Sequence, residues 1–207
     1  MDGMKDLSSF YALVFRQKHI RRWGLMRNAV SENLAMHSSE CAILAHALAT
    51  IGNKVYGCDY DVGKVVTMAL FHDVPEVFTG DMPTPVKYAN PSIRSQFKAI
   101  EEESTKNLVD KLPSELRDEY AAIFDAVEND EKYHKLLKAA DRLCAFIKCE
   151  EEERFGNSEF LGAKKGIEER LRESEMPELD YFIEHFLPAF RLTLDDQAGA
   201  DLPGKRL

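Results

Sequence analysis

Apolar residues recur at intervals of three and four along most of this chain, while strand signals are nearly absent. Two long series each follow one helix face, with Asp61 as a predicted N-cap of the second: Leu34, Cys41, Leu44, Leu48, Ile51 and Val55, then Val62, Val65, Val66, Ala69 and Leu70. Further series predict one helix capped by Asn90 with Pro91 in its first turn and another capped by Ser114. They also predict a helix around 137–147 and shorter ones near 7–20, 158–172 and 179–187. The chain is therefore predicted to be an all-α helical bundle.

The size and charge of the chain narrow its class. With 207 residues, it can bury an extensive core without needing a disulfide or a metal. We predict one domain over residues 1–194 and a disordered tail at 195–207. The 27 basic and 36 acidic residues give a net charge of −9. That balance disfavours long nucleic acid and anionic lipid as partners, whereas a small phosphorylated ligand needs only a few local positive groups.

The cysteines and the N-terminus indicate a compartment. Cys41, Cys58, Cys144 and Cys149 show neither C-x-x-C spacing nor a regular framework, so we predict reduced thiols with a packing role. The first ten residues lack the apolar segment of a signal peptide, and no stretch approaches the ~18 apolar residues of a membrane span. We therefore expect a cytoplasmic protein with no membrane partner.

Ionisable residues interrupt the apolar helix faces at three places. His37 lies in the first series, His72-Asp73 ends the second, and Asp141 lies in the series around 137–147. A buried charge costs several kcal/mol unless it is paired or bound to a metal, and these faces offer no Lys or Arg at the same positions. A divalent cation would compensate both carboxylates, with two neutral imidazoles completing the set. Mixed nitrogen and oxygen ligands suit Mn, Fe, Co, Ni or Zn better than Ca.

Each of these elements also has a plainer interpretation. A single His on an apolar face is more often a satisfied core residue, and a His-Asp dipeptide occurs by chance, whereas a core Asp is rare. The combination of all three elements favours a metal site. The other histidines have no comparable neighbours in the pattern and are interpreted as structural or surface residues: His19, His46, His134 and His185.

Two loops, residues 23–33 and 79–90, border these positions. Pro75 lacks an N–H and would clash with the carbonyl of Phe71 in a continuous helix. The helix is therefore predicted to end or kink near His72-Asp73, next to an open space. Glu76 lies one turn further on and is a candidate acid or base, with an ordinary exposed glutamate as the alternative.

The spacing of these residues resembles that of a known superfamily. His37, then His72-Asp73, then Asp141 resembles the H…HD…D signature of the HD-domain metal-dependent phosphohydrolases. RRWGLMRN at 21–28, FHDVPEVFTGDMPTPVKY at 71–88 and DRLCAFIKCEEE at 141–152 resemble the bacterial 5′-deoxynucleotidases within it. The resemblance covers roughly residues 10 to 190. It implies an HD-domain helical bundle, one divalent metal ion, a homodimer, and hydrolysis of deoxyribonucleoside 5′-monophosphates to deoxynucleoside and phosphate.

The resemblance also implies roles for individual residues. His37, His72, Asp73 and Asp141 match the metal ligands, and Glu76 matches the catalytic carboxylate. The residues that match the nucleotide-binding set are Arg22, Trp23, His37, Asp73, Asp81, Met82, Pro83, Thr84 and Asp141. The sequence leaves open whether Arg22 meets the phosphate or the sugar. Trp23 is either a wall that excludes a 2′-hydroxyl or a core anchor for the first loop.

One position departs from the family pattern, and other functions stay open. Met36 stands where the family tends to carry an acidic residue before the first ligand histidine, which predicts a weaker metal site. Other HD proteins cleave nucleoside triphosphates, including dNTPs, or hyperphosphorylated guanosines. A triphosphatase, however, needs a larger basic patch than Arg22, Arg27 and Lys87 provide. Two-metal members need extra histidines, and only His134 lies between the second and third motifs. A non-catalytic nucleotide-sensing module is the remaining alternative.

Overall fold

The protein is helical throughout the part of the chain that the structure describes. The structure, a computed structural model, describes residues 7–83, 86 and 90–199. Its α-helices are α1 Phe10–Val14, α2 Leu34–Val55, α3 Val62–Phe71, α4 Glu76–Thr79, α5 Pro91–Val109, α6 Ser114–Asn129, α7 Glu131–Arg154, α8 Leu161–Arg172, α9 Pro177–His185 and α10 Leu194–Ala198. Short 3₁₀ helices span Phe15–His19, Ser158–Phe160 and Leu187–Arg191. The all-α prediction is confirmed, and the β-structure in these residues is one antiparallel bridge between Arg21 and Asn33.

Helix α2 is the central element of the bundle. The Asn33 side chain caps it by accepting a hydrogen bond of 3.0 Å from the Met36 N–H. Its buried apolar face packs against α3, α7 and α9 in the larger of two cores. Leu48 on this face is completely enclosed. The observed bounds of α2 match the stretch predicted from the periodicity.

Helix α2 is more apolar than expected from the absence of any membrane-spanning stretch in the sequence analysis. By length and by a mean hydropathy of 1.2 over 18 residues, α2 is long and apolar enough to cross a membrane, and it is the one described helix that meets these criteria. The expectation that no stretch approaches a membrane span is therefore wrong on these criteria. However, 56% of that window is buried inside the protein. A helix surrounded by neighbours must be apolar over most of its surface, which accounts for the value.

The predicted break after α3 is confirmed. Asp61 caps the start of α3 by accepting a 3.0 Å hydrogen bond from the Lys64 N–H. The α-helix ends at Phe71, before Pro75, and the chain resumes a single helical turn in α4. Gly80 then adopts φ = +73°, a conformation that glycine adopts without strain, and leads the chain into the second loop. His72 and Asp73 thus lie at a turn between two helices.

Helices α5 and α6 form a second layer, and one of their two predicted caps is wrong. Asn90 caps α5 as predicted, with its side chain accepting a 2.9 Å hydrogen bond from the Ile93 N–H, and Pro91 occupies the first turn. Ser114 was predicted to cap α6, but it is the first helical residue, and Pro113 precedes it in an extended conformation. The Ser114 hydroxyl donates to the Glu115 carboxylate instead of capping a backbone N–H. Pro113 occupies the N-cap position and has no side-chain acceptor, so α6 begins without a side-chain cap.

Two apolar cores hold the layers together. The larger contains the facing sides of α2, α3, α7, α8 and α9. The smaller joins α1 to the turn before α4 and to α5 and α6 through Phe10, Val74, Leu108, Leu112 and Phe124. The turn that carries His72 and Asp73 lies between these two cores. Packing on both sides therefore fixes its position.

The C-terminal part of the described chain includes a short helix. Residues 194–198 form one helical turn, because Thr193 and Asp196 make a reciprocal capping box. Residues 200–207 lie outside the described part of the chain. The division into one domain and a tail stays a prediction.

Candidate metal centre

His37 enters the site from the first turn of α2. The Asn33 cap fixes the start of this helix, and the His37 side chain is completely buried. Its Nε2 atom lies 3.2 Å from Asp141 Oδ1 and 3.5 Å from Asp73 Oδ2. The imidazole therefore faces both carboxylates with the same nitrogen.

His72 and Asp73 come from the turn between α3 and α4. His72 Nδ1 lies 2.7 Å from the carbonyl oxygen of Ala69. Because a carbonyl oxygen only accepts, Nδ1 carries the proton and donates it, and Nε2 is left with its lone pair. His72 Nε2 lies 3.1 Å from Asp73 Oδ2. Ending α3 at Phe71 thus turns both side chains toward His37.

Asp141 completes the cluster from the middle of α7, which packs against α2. One ligand atom each from His37, His72 and Asp141 lies within 4.8 Å of the other two. Asp73 Oδ2 is within 3.5 Å of both imidazole Nε2 atoms. The structure therefore brings together all four residues that the sequence analysis assigned to a metal. His134 is elsewhere, with its Nδ1 2.7 Å from the carbonyl of Val127.

The electrostatics of the cluster favour positive charge between its carboxylates. Burial alone raises the pKa of Asp73 and of Asp141, but the neighbouring imidazoles more than offset this and hold both pKa values below their ordinary range. Burial likewise opposes charge on His37 and His72, yet the same carboxylates raise the pKa of each imidazole above its ordinary value. The cluster thus attracts either protons or a cation.

The polar atoms of the cluster fit a divalent transition metal. The Nε2 atoms of both His37 and His72 are buried, and neither has a hydrogen-bond partner among the described residues. Buried nitrogen atoms in folded proteins almost always have a partner. A single metal ion would be a partner for both nitrogens, and the two adjacent carboxylates would supply the negative charge that the ion requires.

The first loop places Arg22 and Trp23 beside the cluster. Backbone hydrogen bonds close the loop at its base, with the Arg22 N–H donating to the Glu32 carbonyl at 3.1 Å. Arg22 Nη1 donates to Asp73 Oδ2 at 3.4 Å. Burial opposes the charge of this guanidinium, but Asp73 and Glu32 raise its pKa above the ordinary value. Arg22 is therefore a permanent positive charge next to a predicted metal ligand.

Trp23 is held rigidly in this loop. Its backbone lies in the left-handed region at φ = +57°, which is uncommon for a residue with a side chain. Its indole Nε1 donates to Glu32 Oε2 at 2.8 Å, and its ring lies 5.3 Å from the ring of Phe160, centroid to centroid. These contacts fit the role of an anchor for the first loop, and exclusion of a 2′-hydroxyl stays a prediction.

Glu32 is a site residue that the sequence analysis missed. Its carboxylate is buried and receives hydrogen bonds from both Arg22 and Trp23, and its Oε1 lies 3.5 Å from His37 Nδ1. Met36, at the position of the family's acidic residue, is 42% exposed. A carboxylate therefore does face the first histidine, but it comes from the loop instead of the helix. The weaker metal site expected from Met36 stays a prediction.

The remaining predicted residues lie on α4 and the second loop. Glu76 is the first residue of α4 and is buried, so the alternative of an ordinary exposed glutamate is wrong. The Asp81 carboxyl has its pKa raised by burial, against the opposing effects of the Arg22 charge and the Trp23 backbone N–H. The second loop thus touches the first at Asp81. Met82 and Pro83 follow in partly exposed positions, whereas Thr84 and Lys87 lie outside the described residues.

A buried carboxylate on α7 fastens the far end of the first loop. Glu152 is fully enclosed and accepts hydrogen bonds from the backbone N–H groups of Ala29 (2.8 Å) and Val30 (3.1 Å). Lys148 pairs with Glu152 and also donates to the Val30 carbonyl. Asn157 adds a further donor at 2.7 Å. The loop that carries Arg22 and Trp23 is therefore tied to the helix that carries Asp141.

Comparison with known proteins assigns the fold and the family. A family model described as 5′-deoxynucleotidase YfbR-like matches residues 9–190. The 5′-deoxynucleotidase YfbR of Escherichia coli is 46% identical over 189 residues, which cover 91% of this chain and 95% of that protein.

Two solved structures share the fold. The crystal structure of an HD-domain phosphohydrolase from Listeria innocua has a TM-score of 0.78 at 23% identity and covers 88% of both chains. The HD phosphohydrolase DatZ of cyanophage S-2L, bound to dA and one catalytic Zn²⁺ ion, has a TM-score of 0.63 at 19% identity and covers 88% of this chain and 96% of that one. The family model and the curated relative span nearly all of the described residues. The chain belongs to the YfbR-like 5′-deoxynucleotidase family.

Proposed function

We propose that this chain is a 5′-deoxynucleotidase that holds one divalent metal ion at His37, His72, Asp73 and Asp141. Its substrates would be deoxyribonucleoside 5′-monophosphates, hydrolysed to deoxynucleoside and phosphate with selection against ribonucleotides. The observation that carries the proposal is the convergence of two buried imidazole nitrogens without a hydrogen bond and two carboxylates beside Arg22. Membership of the YfbR-like family supports the same substrate class.

The proposed ion supplies Lewis-acid chemistry, since a bound divalent cation lowers the pKa of water and neutralises phosphate charge. The donor set of two imidazoles and two carboxylates suits Mn, Fe, Co, Ni or Zn. Two further observations support one ion per site. The described residues contain one such cluster, and the structurally similar cyanophage protein binds one catalytic Zn²⁺.

Arg22 is proposed to bind the phosphate rather than the sugar. Its guanidinium lies 3.4 Å from Asp73, and the phosphate must lie next to the metal ligands for the reaction to occur there. Because its pKa is raised, Arg22 stays charged throughout the working pH range. A fixed positive charge stabilises a developing phosphoryl transition state without reorganisation.

Trp23 is proposed to select deoxyribose. Glu32 and Phe160 hold its ring in one orientation, so the ring cannot move aside for an extra hydroxyl group. A rigid wall distinguishes a hydrogen from a hydroxyl at the 2′ position by volume. Asp81, Met82 and Pro83 are proposed to line the nucleoside side of the site. Thr84 keeps its sequence-based assignment to the same turn.

Glu76 is proposed to transfer the proton in the reaction. The carboxyl group is buried on the turn that follows Asp73, and the α4 backbone is joined to this turn by a 3.0 Å hydrogen bond from the Glu76 N–H to the Asp73 carbonyl. Hydrolysis of the ester needs a proton on the departing 5′-oxygen. A carboxylic acid held near the site supplies it by general acid catalysis.

The oligomeric state and the compartment are also proposed. A homodimer is implied by the family resemblance, and light scattering should then give twice the chain mass of 23.6 kDa. A cytoplasmic location is supported by the four cysteines, which are all unpaired although three are buried. A mass of one chain at micromolar concentration would contradict the dimer.

A turnover panel tests the proposed function. The metal-loaded protein should release phosphate from the deoxynucleoside 5′-monophosphates well above the corresponding ribonucleotides. It should not act comparably on dNTPs or hyperphosphorylated guanosines. Arg27, a basic residue that a triphosphatase would use, is 95% exposed and faces Glu159 instead of the metal cluster. Preference for a triphosphate would contradict the proposal, and binding without turnover would favour the sensing module.

A further inference from the structure

Glu32 links three groups that the proposed function uses separately. Its two carboxylate oxygens accept from different donors: Oε1 from Arg22 Nε at 3.2 Å and Oε2 from Trp23 Nε1 at 2.8 Å. Oε1 also lies 3.5 Å from His37 Nδ1. The Glu32 side chain is 9% exposed, so these contacts are formed away from bulk solvent. One carboxylate therefore touches a proposed metal ligand, a proposed phosphate ligand and the proposed sugar selector.

The contact with His37 has a chemical consequence. Binding a metal through Nε2 requires the neutral imidazole to carry its proton on Nδ1. A carboxylate facing Nδ1 accepts that proton in a hydrogen bond, which selects this tautomer and increases the basicity of Nε2. His72 obtains the same effect from the Ala69 carbonyl. For His37 the facing group is Glu32 Oε1, which lies 3.5 Å from Nδ1 as an ion-pair contact, and the described structure does not form the hydrogen bond itself.

The contact with Trp23 has a geometric consequence. A residue with a side chain in the left-handed region costs on the order of 1–3 kcal/mol and persists only where its surroundings hold it. The bond from the indole N–H to Glu32 and the packing on Phe160 hold Trp23 in this way. Without the carboxylate, the ring would keep only its packing contact.

We propose that Glu32 is a positioning residue that couples the metal centre to sugar selection. It would orient His37 for the metal and fix the Trp23 ring with the same carboxylate. The proposal rests on the proposed function, because the two properties that it couples are assigned there. A merely structural Glu32, which only pairs with Arg22, would stabilise the fold without affecting metal affinity.

The test compares Glu32→Gln with Glu169→Gln. The first variant keeps the size of the side chain but loses the acceptor-only carboxylate. The second removes a glutamate charge from an exposed position on α8, without a hydrogen bond to Arg22, Trp23 or His37 in the described structure. Metal affinity is measured on the metal-stripped proteins by titrating Zn²⁺ against a chromophoric chelator. Loss of a partner that orients a metal ligand typically weakens affinity ~10–100-fold, and we expect this for Glu32→Gln alone.

Trp23 gives an independent spectroscopic signal, because it is the only tryptophan in the chain. A ¹H–¹⁵N spectrum therefore contains a single indole N–H resonance. In Glu32→Gln this resonance should move upfield, as expected when a charged acceptor is replaced by a neutral one. The ratio of kcat/KM for dAMP over AMP should fall in the same variant. In a Trp23→Phe background, which has no indole N–H, Glu32→Gln should weaken the metal without changing that ratio further.

The outcomes separate the possibilities. An unchanged Zn²⁺ affinity would overturn the coupling, whether or not the indole resonance moves. A weaker affinity with an unchanged indole resonance would overturn it as well. If Glu32→Gln does not fold, Glu32→Asp keeps the charge against Arg22 but shortens the reach, and a smaller loss of affinity with the same upfield shift supports the proposal. If the parent protein releases no phosphate from dAMP, the proposed function fails, while the Zn²⁺ and indole measurements still decide the role of Glu32.

Discussion

Replacing Glu152 by Gln should destabilise the protein and loosen the first loop. Burial alone raises the pKa of Glu152, but hydrogen bonds from Lys148, the Ala29 N–H, Asn157 and the Val30 N–H lower it from 4.5 to about 2. Gln keeps the volume but loses the charge, and it points an amide N–H₂ group at donors. It also leaves the buried Lys148 ammonium without its counter-charge.

The size of the effect follows from the pKa. A decrease from 4.5 to about 2 corresponds to about 3 kcal/mol of folding free energy, at about 1.4 kcal/mol per pH unit. This agrees with the lower end of the ~3–5 kcal/mol expected when one partner of a buried ion pair is removed. At about 2.1 cal/mol/K of unfolding entropy per residue, the 207-residue chain should melt roughly 7 °C lower.

The sign of the pH dependence is also determined. The pKa of the Glu152 carboxyl is lower in the folded state than in the unfolded state. Its contribution to the free energy of unfolding is therefore complete above pH 4.5 and is lost as the pH falls toward 2. The difference in the free energy of unfolding between the parent and the variant, measured with urea, should decrease by about 1.4 kcal/mol from pH 7 to pH 3.5.

A matched control separates the buried carboxylate from a general charge effect. Glu153 is the next residue on the same helix, is 45% exposed, and pairs with Lys164. Glu153→Gln should lower the free energy of unfolding by less than ~1 kcal/mol, which is the usual contribution of an exposed ion pair. A Glu152→Gln variant within about 0.5 kcal/mol of the parent at pH 7, a difference within the range of ordinary surface substitutions, would refute the reasoning. So would a difference that does not change with pH.

Three further substitutions test individual roles. Asp141→Asn should lose metal but keep the fold, since an amide is a poorer ligand of similar volume; unchanged metal content by elemental analysis would exclude Asp141 as a ligand. Trp23→Ala should reduce the kcat/KM ratio of dAMP over AMP by admitting the 2′-hydroxyl; equal losses for both substrates would make the ring a scaffold only. Glu76→Gln should reduce kcat by ~10²–10⁴-fold at unchanged metal content. A near-normal kcat would remove Glu76 from the proton transfer and make Asp81 the next group to test.

The clustering of the four proposed ligands could be predicted from the sequence because of where they occur. Each lies on, or just beyond, an apolar helix face, where a charged or imidazole side chain needs a partner. Pro75 predicts that α3 ends before it, and this end places His72 and Asp73 at a turn. Periodicity therefore predicts both the helices and the residues that interrupt them.

The two carboxylates that organise the first loop could not be predicted in this way. Glu32 lies in a segment without periodicity, and its direction depends on the bridge between Arg21 and Asn33 and on the left-handed backbone at Trp23. Glu152 belongs to an acidic run that is typical of a solvated helix face. Only the tertiary packing around α7 shows that Glu152 is fully enclosed and that Glu150 of the same run is also buried.

Metal stoichiometry against activity tests the central claim most directly. The metal-stripped protein is titrated with Mn²⁺ or Co²⁺, and phosphate release from dAMP is measured at each ratio of bound metal to chain. If one ion per chain is required, phosphate release is absent without metal, rises linearly with bound metal and reaches a plateau at one ion per chain. Full activity in protein shown by elemental analysis to be metal-free would contradict the claim, as would a requirement for two ions per chain.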